Sequence, residues 1–88
     1  MKKNWHDSGW NDYLYWQEYD KAKVKRINAL LKDIERNPFS GIGEPEPLKY
    51  DLSGWWSRRI NQEHRLVYRI VAGTQIDILY CRGHYGQG

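Results

Sequence analysis

All three prolines of the chain, Pro38, Pro45 and Pro47, fall in one stretch between residues 37 and 48. Proline lacks the backbone N–H and cannot continue a helix or a central strand. The chain must therefore change architecture there. Before the stretch, Val24, Ile27, Leu30, Leu31 and Ile34 recur at three- and four-residue intervals. Lys21, Lys23, Lys25, Arg26, Lys32 and Asp33 fill the other side, which predicts an amphipathic helix of about four turns. Asp20 is its expected N-cap and Asn37-Pro38 its stop. An earlier helix is expected behind Asp7 or Ser8 as cap, with Trp10, Tyr13 and Leu14 as its apolar face and Trp16 nearby. Asn4-Trp5-His6 reads as a short extended start. After the prolines the period changes to two. Strands are expected at 55–60, 65–71 and 76–82, with turns at 61–64 and 72–75. In the middle strand Leu66, Tyr68 and Ile70 take one face and Arg65, Val67 and Arg69 the other, half-open face. A twelve-residue connection is long for a small domain, and such loops tend to carry function.

Strand, helix, helix and a meander of strands predict an α+β fold, with two helices on one face of a twisted, mainly antiparallel sheet. With 88 residues and no linker or repeat, residues 1–88 form one expected domain. Aromatics reach 15%, which helps so short a chain build a core. No apolar run approaches the roughly 18 residues of a membrane span. The start Met1-Lys2-Lys3 has no apolar stretch behind it and does not read as a signal peptide. Cys81 is the single cysteine and has no CxxC partner. These features favour a soluble cytoplasmic domain without structural metal, cofactor or membrane partner.

The net charge of +3 permits nucleic-acid binding without requiring it. Lys49, Arg58, Arg59, Arg65 and Arg69 stand against only Asp51 and Glu63 in that part of the chain. From Arg58 onward every cation there is arginine, which grips phosphate oxygens with a planar fork. Arg59, Arg65 and Arg69 could share one electropositive face, or could form ladder ion pairs with Glu63 or Asp77. Glu46 lies between Pro45 and Pro47, which leave its backbone little freedom. It could be a positioned acid or base, or an exposed charge on a rigid loop; Glu44, with proline on one side only, competes for the role. Gly83-His84-Tyr85 could be a frayed end, or could set an imidazole and an aromatic ring at the sheet edge. His6 and His64 read as surface residues. Glu, Arg, His and an aromatic together can cleave RNA without metal: a base removes the ribose 2′-OH proton, arginine stabilises the phosphorane, and an acid protonates the leaving 5′-oxygen.

The runs Trp10-Asn11-Asp12-Tyr13-Leu14-Tyr15-Trp16-Gln17, Trp56-Ser57-Arg58-Arg59-Ile60 and Glu63-His64-Arg65-Leu66-Val67-Tyr68, the PxxGxGxPEPL block of 38–48 and the closing His84-Tyr85 resemble YoeB-type toxins of the RelE superfamily. The resemblance covers nearly the whole chain. It implies a RelE-like, microbial-ribonuclease-like fold and a ribosome-dependent mRNA endonuclease that cuts in the A site. It further implies neutralisation by the C-terminal segment of a YefM-type antitoxin, and related toxins make a homodimer plausible. By this resemblance Glu46 is the general base, His84 the general acid, Arg65 the charge stabiliser and Tyr85 the nucleotide-orienting ring. Lys49 and Arg59 contact phosphate by the same resemblance, and Arg69 is taken with them as RNA-binding from its place on the basic face. Two departures stand out: the chain continues as Gly86-Gln87-Gly88, and Gly83 occupies a position where a bulkier residue is common, which suggests a looser His84 loop. The competing readings are a ParE-type gyrase poison, a group that lacks the Glu46, Arg65, His84 and Tyr85 set, and a non-catalytic RNA- or partner-binding module.

Overall fold

A computed structural model describes residues 1–84 of the protein; Tyr85 lies outside the described residues, as do Gly86, Gln87 and Gly88. The elements run β1 (Lys2–Trp5), α1 (Asp7–Tyr19), α2 (Lys21–Arg36), β2 (Glu46–Pro47), a 3₁₀ turn (Tyr50–Leu52), β3 (Trp56–Arg59), β4 (Arg65–Val71) and β5 (Gln75–Tyr80). The strands form one sheet in the order β1-β5-β4-β3-β2. The meander β2 to β5 is antiparallel, and β1 joins the far edge parallel to β5. The architecture is the expected α+β one.

The second helix follows its sequence pattern. The Asp20 side chain accepts a hydrogen bond from the Ala22 amide, and the helix ends at Asn37. Ile27, Leu30, Leu31 and Ile34 are buried. They pack with Trp16, Leu66, Tyr68, Ile76 and Ile78 as the core between the helices and one sheet face. Each fully buried aliphatic side chain contributes about 1.5–3 kcal/mol.

The first helix departs from its pattern. Trp10 and Leu14 are exposed, whereas Gly9 and Trp16 face inward. The cause is a close approach to β5. A Cβ on Gly9 would stand 2.7 Å from the Ile78 carbonyl oxygen, so only glycine lets the helix start settle there. Neither Asp7 nor Ser8 caps the helix, since His6 holds that position without a side-chain bond. The Ser8 hydroxyl instead donates to the Leu79 carbonyl, 2.6 Å away. Val67 pairs with Tyr80 and Tyr68 with Ile78, so a bulge sets Leu79 out of the β4–β5 ladder, and Ser8 satisfies its carbonyl.

Cross-strand partners share a sheet face. Trp5, Ile78, Tyr68 and Trp56 form one row beneath the helices. On the opposite face, Tyr80, Val67, Ser57 and Glu46 form a row across four strands. Arg59 and Arg65 lie to one side of it, and Arg69, Asp77 and Asn4 to the other. The expectation of a half-open face is corrected at its centre: Val67 is fully buried, a short side chain on a middle strand set among longer ones.

Candidate active site on the open sheet face

Glu46 is presented by a loop that a buried arginine pins to the core. Strand alternation turns Arg58 toward α2 and Arg59 toward the open face. Arg58 is fully buried. Its Nη1 donates to Asp33 Oδ2 at 2.6 Å and to the Ile42 carbonyl at 3.1 Å. Its Nη2 donates to the Asn37 and Ser40 carbonyls, and its Nε to the Tyr68 hydroxyl. Tyr68 in turn donates to the Pro38 carbonyl at 2.6 Å. Asp33 also accepts from the Ile42 amide. The Arg58 bond and that amide hold the Asp33 carboxyl below its ordinary value. Arg58 thus belongs to the scaffold and is removed from the candidate phosphate-binding cations.

The loop re-enters the sheet as β2, where Glu46 lies opposite Ser57. Only β3 flanks this strand, and prolines at 45 and 47 deny the outer edge two donors, which discourages pairing with another chain. Glu46 is exposed. Glu44, two residues earlier, has a left-handed backbone (φ 52°) and sends Oε1 to within 3.4 Å of Arg59 Nε.

Arg59 and Arg65 face each other directly across β3 and β4. Like charges in that position repel, so the pair needs compensation. Burial and the Arg59 charge pull the Arg65 guanidinium down from its ordinary value, while the Glu46 and Glu44 carboxylates push it back up. Arg65 remains a cation at neutral pH. Its Nη1 donates to the carbonyls of Asn61, Gln62 and His64, at 2.9, 3.2 and 3.2 Å. Those bonds fix the guanidinium over the 61–64 turn, which Asn61 closes by accepting the amides of Glu63 and His64.

The Arg65 amide donates to the Gly83 carbonyl at 2.9 Å, prolonging the β4–β5 ladder past its last assigned residue. His84, the next residue, is exposed. Glu46, Arg59, Arg65 and the root of His84 therefore gather at one end of the open face. Gly83 is not slack: its amide and its carbonyl are both bonded, and its φ of 95° is one that glycine adopts without penalty.

Lys49 and Arg69 lie on the other side of the Glu46 row. Lys49 is exposed and starts the 3₁₀ turn. Arg69 stacks over Trp55 at 4.4 Å and donates from Nε to Asp77 Oδ2 at 3.0 Å. Arg69 shares the open face with Arg59 and Arg65 and also forms the ladder ion pair with Asp77. Burial pushes the Asp77 carboxyl up, but bonds from Gln75, Asn4 and Arg69 outweigh it and hold it below its ordinary value. His6 Nε2 stands 3.7 Å from the same carboxylate. His64 is not a surface residue: it is half-buried, edge-on to Trp16 at 4.8 Å, and its Nδ1 accepts the Gly83 amide. The signal for it was its place in the turn before Arg65 rather than any spacing of histidines. Among the described residues no three His, Cys, Asp or Glu side chains converge as a metal set would.

Two helices over a five-stranded mixed sheet are a fold this chain shares with the toxin-like structure YafQ from E. coli, whose crystal structure superposes at a TM-score of 0.73 and 15% identity, over 96% of this chain and 93% of that one. The chain belongs to the family of YoeB-like toxins of bacterial type II toxin–antitoxin systems, whose family model matches residues 5–85. It is 58% identical to Toxin YoeB of Escherichia coli K12 over 85 residues, covering 97% of this chain and 100% of that protein. The YoeB/ParE toxin from Agrobacterium tumefaciens superposes at a TM-score of 0.92 with 49% identity, over 97% of this chain and 100% of that one. A YoeB dimer from Staphylococcus aureus and a heterotetrameric YoeB–YefM complex from the same organism superpose at 0.90 and 0.89, both 48% identical over 97% of this chain and 98% of theirs.

Proposed function

We propose that this toxin is a ribosome-dependent endoribonuclease that cuts mRNA in the ribosomal A site and so stops translation. The observation that carries the reading is the register that sets Glu46, opposite Ser57, on the same open face as the Arg59–Arg65 pair, with the root of His84 bonded to the Arg65 backbone. Glu46 takes the proton of a ribose 2′-OH, whose oxygen attacks the adjacent phosphorus. Negative charge grows on the phosphoryl oxygens, and the fixed Arg65 guanidinium stabilises it. His84 donates its proton to the departing 5′-oxygen, leaving a 2′,3′-cyclic phosphate and a 5′-hydroxyl. Tyr85 orients the nucleotide. Lys49 and Arg69 on one side of Glu46, and Arg59 on the other, hold flanking phosphates. No metal or cofactor takes part in this scheme.

A shallow sheet face alone gives little pre-organisation of a flexible RNA backbone. The ribosome supplies it by holding the mRNA bent in the A site. A YefM-type antitoxin is the proposed inhibitor, covering the His84-Tyr85 end, and a homodimer is the proposed assembly, in line with the named S. aureus structures. No described helix is long and apolar enough to cross a membrane, and the proposed place of action is the bacterial cytoplasm, with the ribosomes. The set of Glu46, Arg65 and His84 favours this reading over a gyrase poison or a passive RNA-binding module. Incubation of wild type and His84→Ala with free RNA and with ribosome-bound mRNA tests it. Wild type should cut the ribosome-bound message far faster than free RNA, and His84→Ala should cut neither. Equal rates on both substrates would defeat ribosome dependence.

A further inference from the structure

The segment that delivers His84 leaves β5 under four restraints. The Cys81 amide donates to Asp12 Oδ2 at 3.0 Å, and Trp16 Nε1 donates to the Cys81 carbonyl at 2.8 Å. The Gly83 carbonyl accepts the Arg65 amide at 2.9 Å. The fourth restraint is a side chain from another element: the Gly83 amide donates to His64 Nδ1 at 2.8 Å. A backbone N–H can only donate, so Nδ1 must carry the lone pair and the imidazole proton must sit on Nε2. Glu63 Oε1 lies 3.7 Å from that Nε2. The ring edge rests on Trp16, the same side chain that holds the Cys81 carbonyl. One packed unit of Trp16 and His64 therefore grips both ends of the three residues before His84.

Gly83 is also where the chain turns, with φ at 95°. A positive-φ glycine is free to rotate, so the direction it gives to the next residue depends on what holds its own peptide groups. The Arg65 amide fixes its carbonyl, and His64 fixes its amide. We propose that His64 is a positioning residue for the reaction: its Nδ1 anchors the Gly83 amide and so aims His84 at the Arg65 end of the open face. The inference rests on the reading of His84 as general acid. His64 itself does not touch RNA in this scheme.

The test pairs two variants. His64→Phe keeps a ring against Trp16 but removes the acceptor. His64→Asn loses the ring and keeps an acceptor, Oδ1, at the same bond distance from Cβ as Nδ1. Amide hydrogen exchange by NMR on the protein alone reads the anchor; single-turnover cleavage of ribosome-bound mRNA reads the chemistry. In His64→Phe, Gly83 should exchange about fivefold faster or more, as expected for one lost hydrogen bond, while core amides such as Ile78 keep their protection. The cleavage rate at saturating ribosomes should fall by about 10- to 100-fold, the effect of aiming a catalytic group wrongly by about an ångström, with the half-saturating ribosome concentration unchanged. His64→Asn should restore both Gly83 protection and most of the rate. Unchanged Gly83 exchange in His64→Phe overturns the proposal, as does a wild-type cleavage rate in that variant. Loss of rate in both variants with no rescue by Asn also overturns it, since His64 would then serve only packing. A wild-type protein that leaves ribosome-bound mRNA intact defeats the nuclease reading instead, and the exchange comparison still decides the anchor.

Discussion

Replacing Arg58 with Met should unfold this toxin more readily than any change on its open face. Arg58 is fully buried and donates five hydrogen bonds: one to the Asp33 carboxylate, one to the Tyr68 hydroxyl and three to carbonyls of the loop that presents Glu46. Summing full charge-assisted values for all five would exceed the stability of a small domain, because the bonds are not additive. Removing one partner of a buried ion pair costs about 3–5 kcal/mol. Asp33 is about one-fifth exposed and can regain water, which places the loss near the lower figure, about 3 kcal/mol. In a domain of this size that lowers Tm by roughly 12–24 °C. Arg59→Met is the control: its contact with Glu44 is exposed, and such pairs contribute about 1 kcal/mol at most. Urea and thermal denaturation of both variants measure the difference. A loss below about 1 kcal/mol for Arg58→Met, matching Arg59→Met, would refute the view that Arg58 pins the loop.

Three further outcomes follow from the same contacts. Gly9→Ala should destabilise by about 1–3 kcal/mol by denaturation, since its Cβ would meet the Ile78 carbonyl, which is backbone and cannot swing away. Cys81 should resist thiol reagents at pH 7–8 until the protein unfolds: burial, then the Asp12 charge, pushes its thiol up to about 12 against the opposing Arg82. Asp33 titrates lower when folded than when unfolded, so its contribution is complete above its ordinary 3.8 and is lost as pH falls through the folded value. Asp33→Asn should therefore melt well below wild type at pH 7, with the gap closing on acidification below about pH 4; a gap independent of pH would contradict this.

The elements with strong local signals were legible in the sequence. The second helix, its Asp20 cap and its proline stop follow from spacing and backbone chemistry alone, and so do strands β3 to β5, whereas β2 lies inside the stretch expected to be a loop. The first helix misleads because its position is set by contact with β5: Gly9 is inward for lack of a side chain, and Ser8 serves the carbonyl that the bulge leaves unpaired rather than a cap. The parallel pairing of β1 with β5 joins opposite ends of the chain, and no local pattern announces it. In the site, the Pro-Glu-Pro run marks Glu46 for rigid presentation, and alternation puts Arg65 and Arg69 together on one face. Composition could not separate Arg58 from Arg59; alternation within β3 does, sending one inward to Asp33 and the other outward to Glu44. The choice of Asp77 over Glu63 as ladder partner of Arg69, and the bond from the Gly83 amide to His64, depend on register and on chain reversal, which appear only in the folded sheet.

The central claim is that Glu46 acts as the base in cleavage of ribosome-bound mRNA. Single-turnover cleavage at neutral pH, with wild type, Glu46→Gln and Glu44→Gln side by side, tests it most directly. Gln keeps the shape of the side chain but cannot take the 2′-OH proton. Glu46→Gln should slow cleavage by about 10²–10⁴-fold, while Glu44→Gln, which loses an exposed contact with Arg59 and a weak pull on Arg65 but no proton acceptor for the 2′-OH, should stay within about tenfold of wild type. If Glu46→Gln retains more than about a tenth of the wild-type rate, or if Glu44→Gln is the variant that fails, the base is not Glu46 and the account is wrong at its centre.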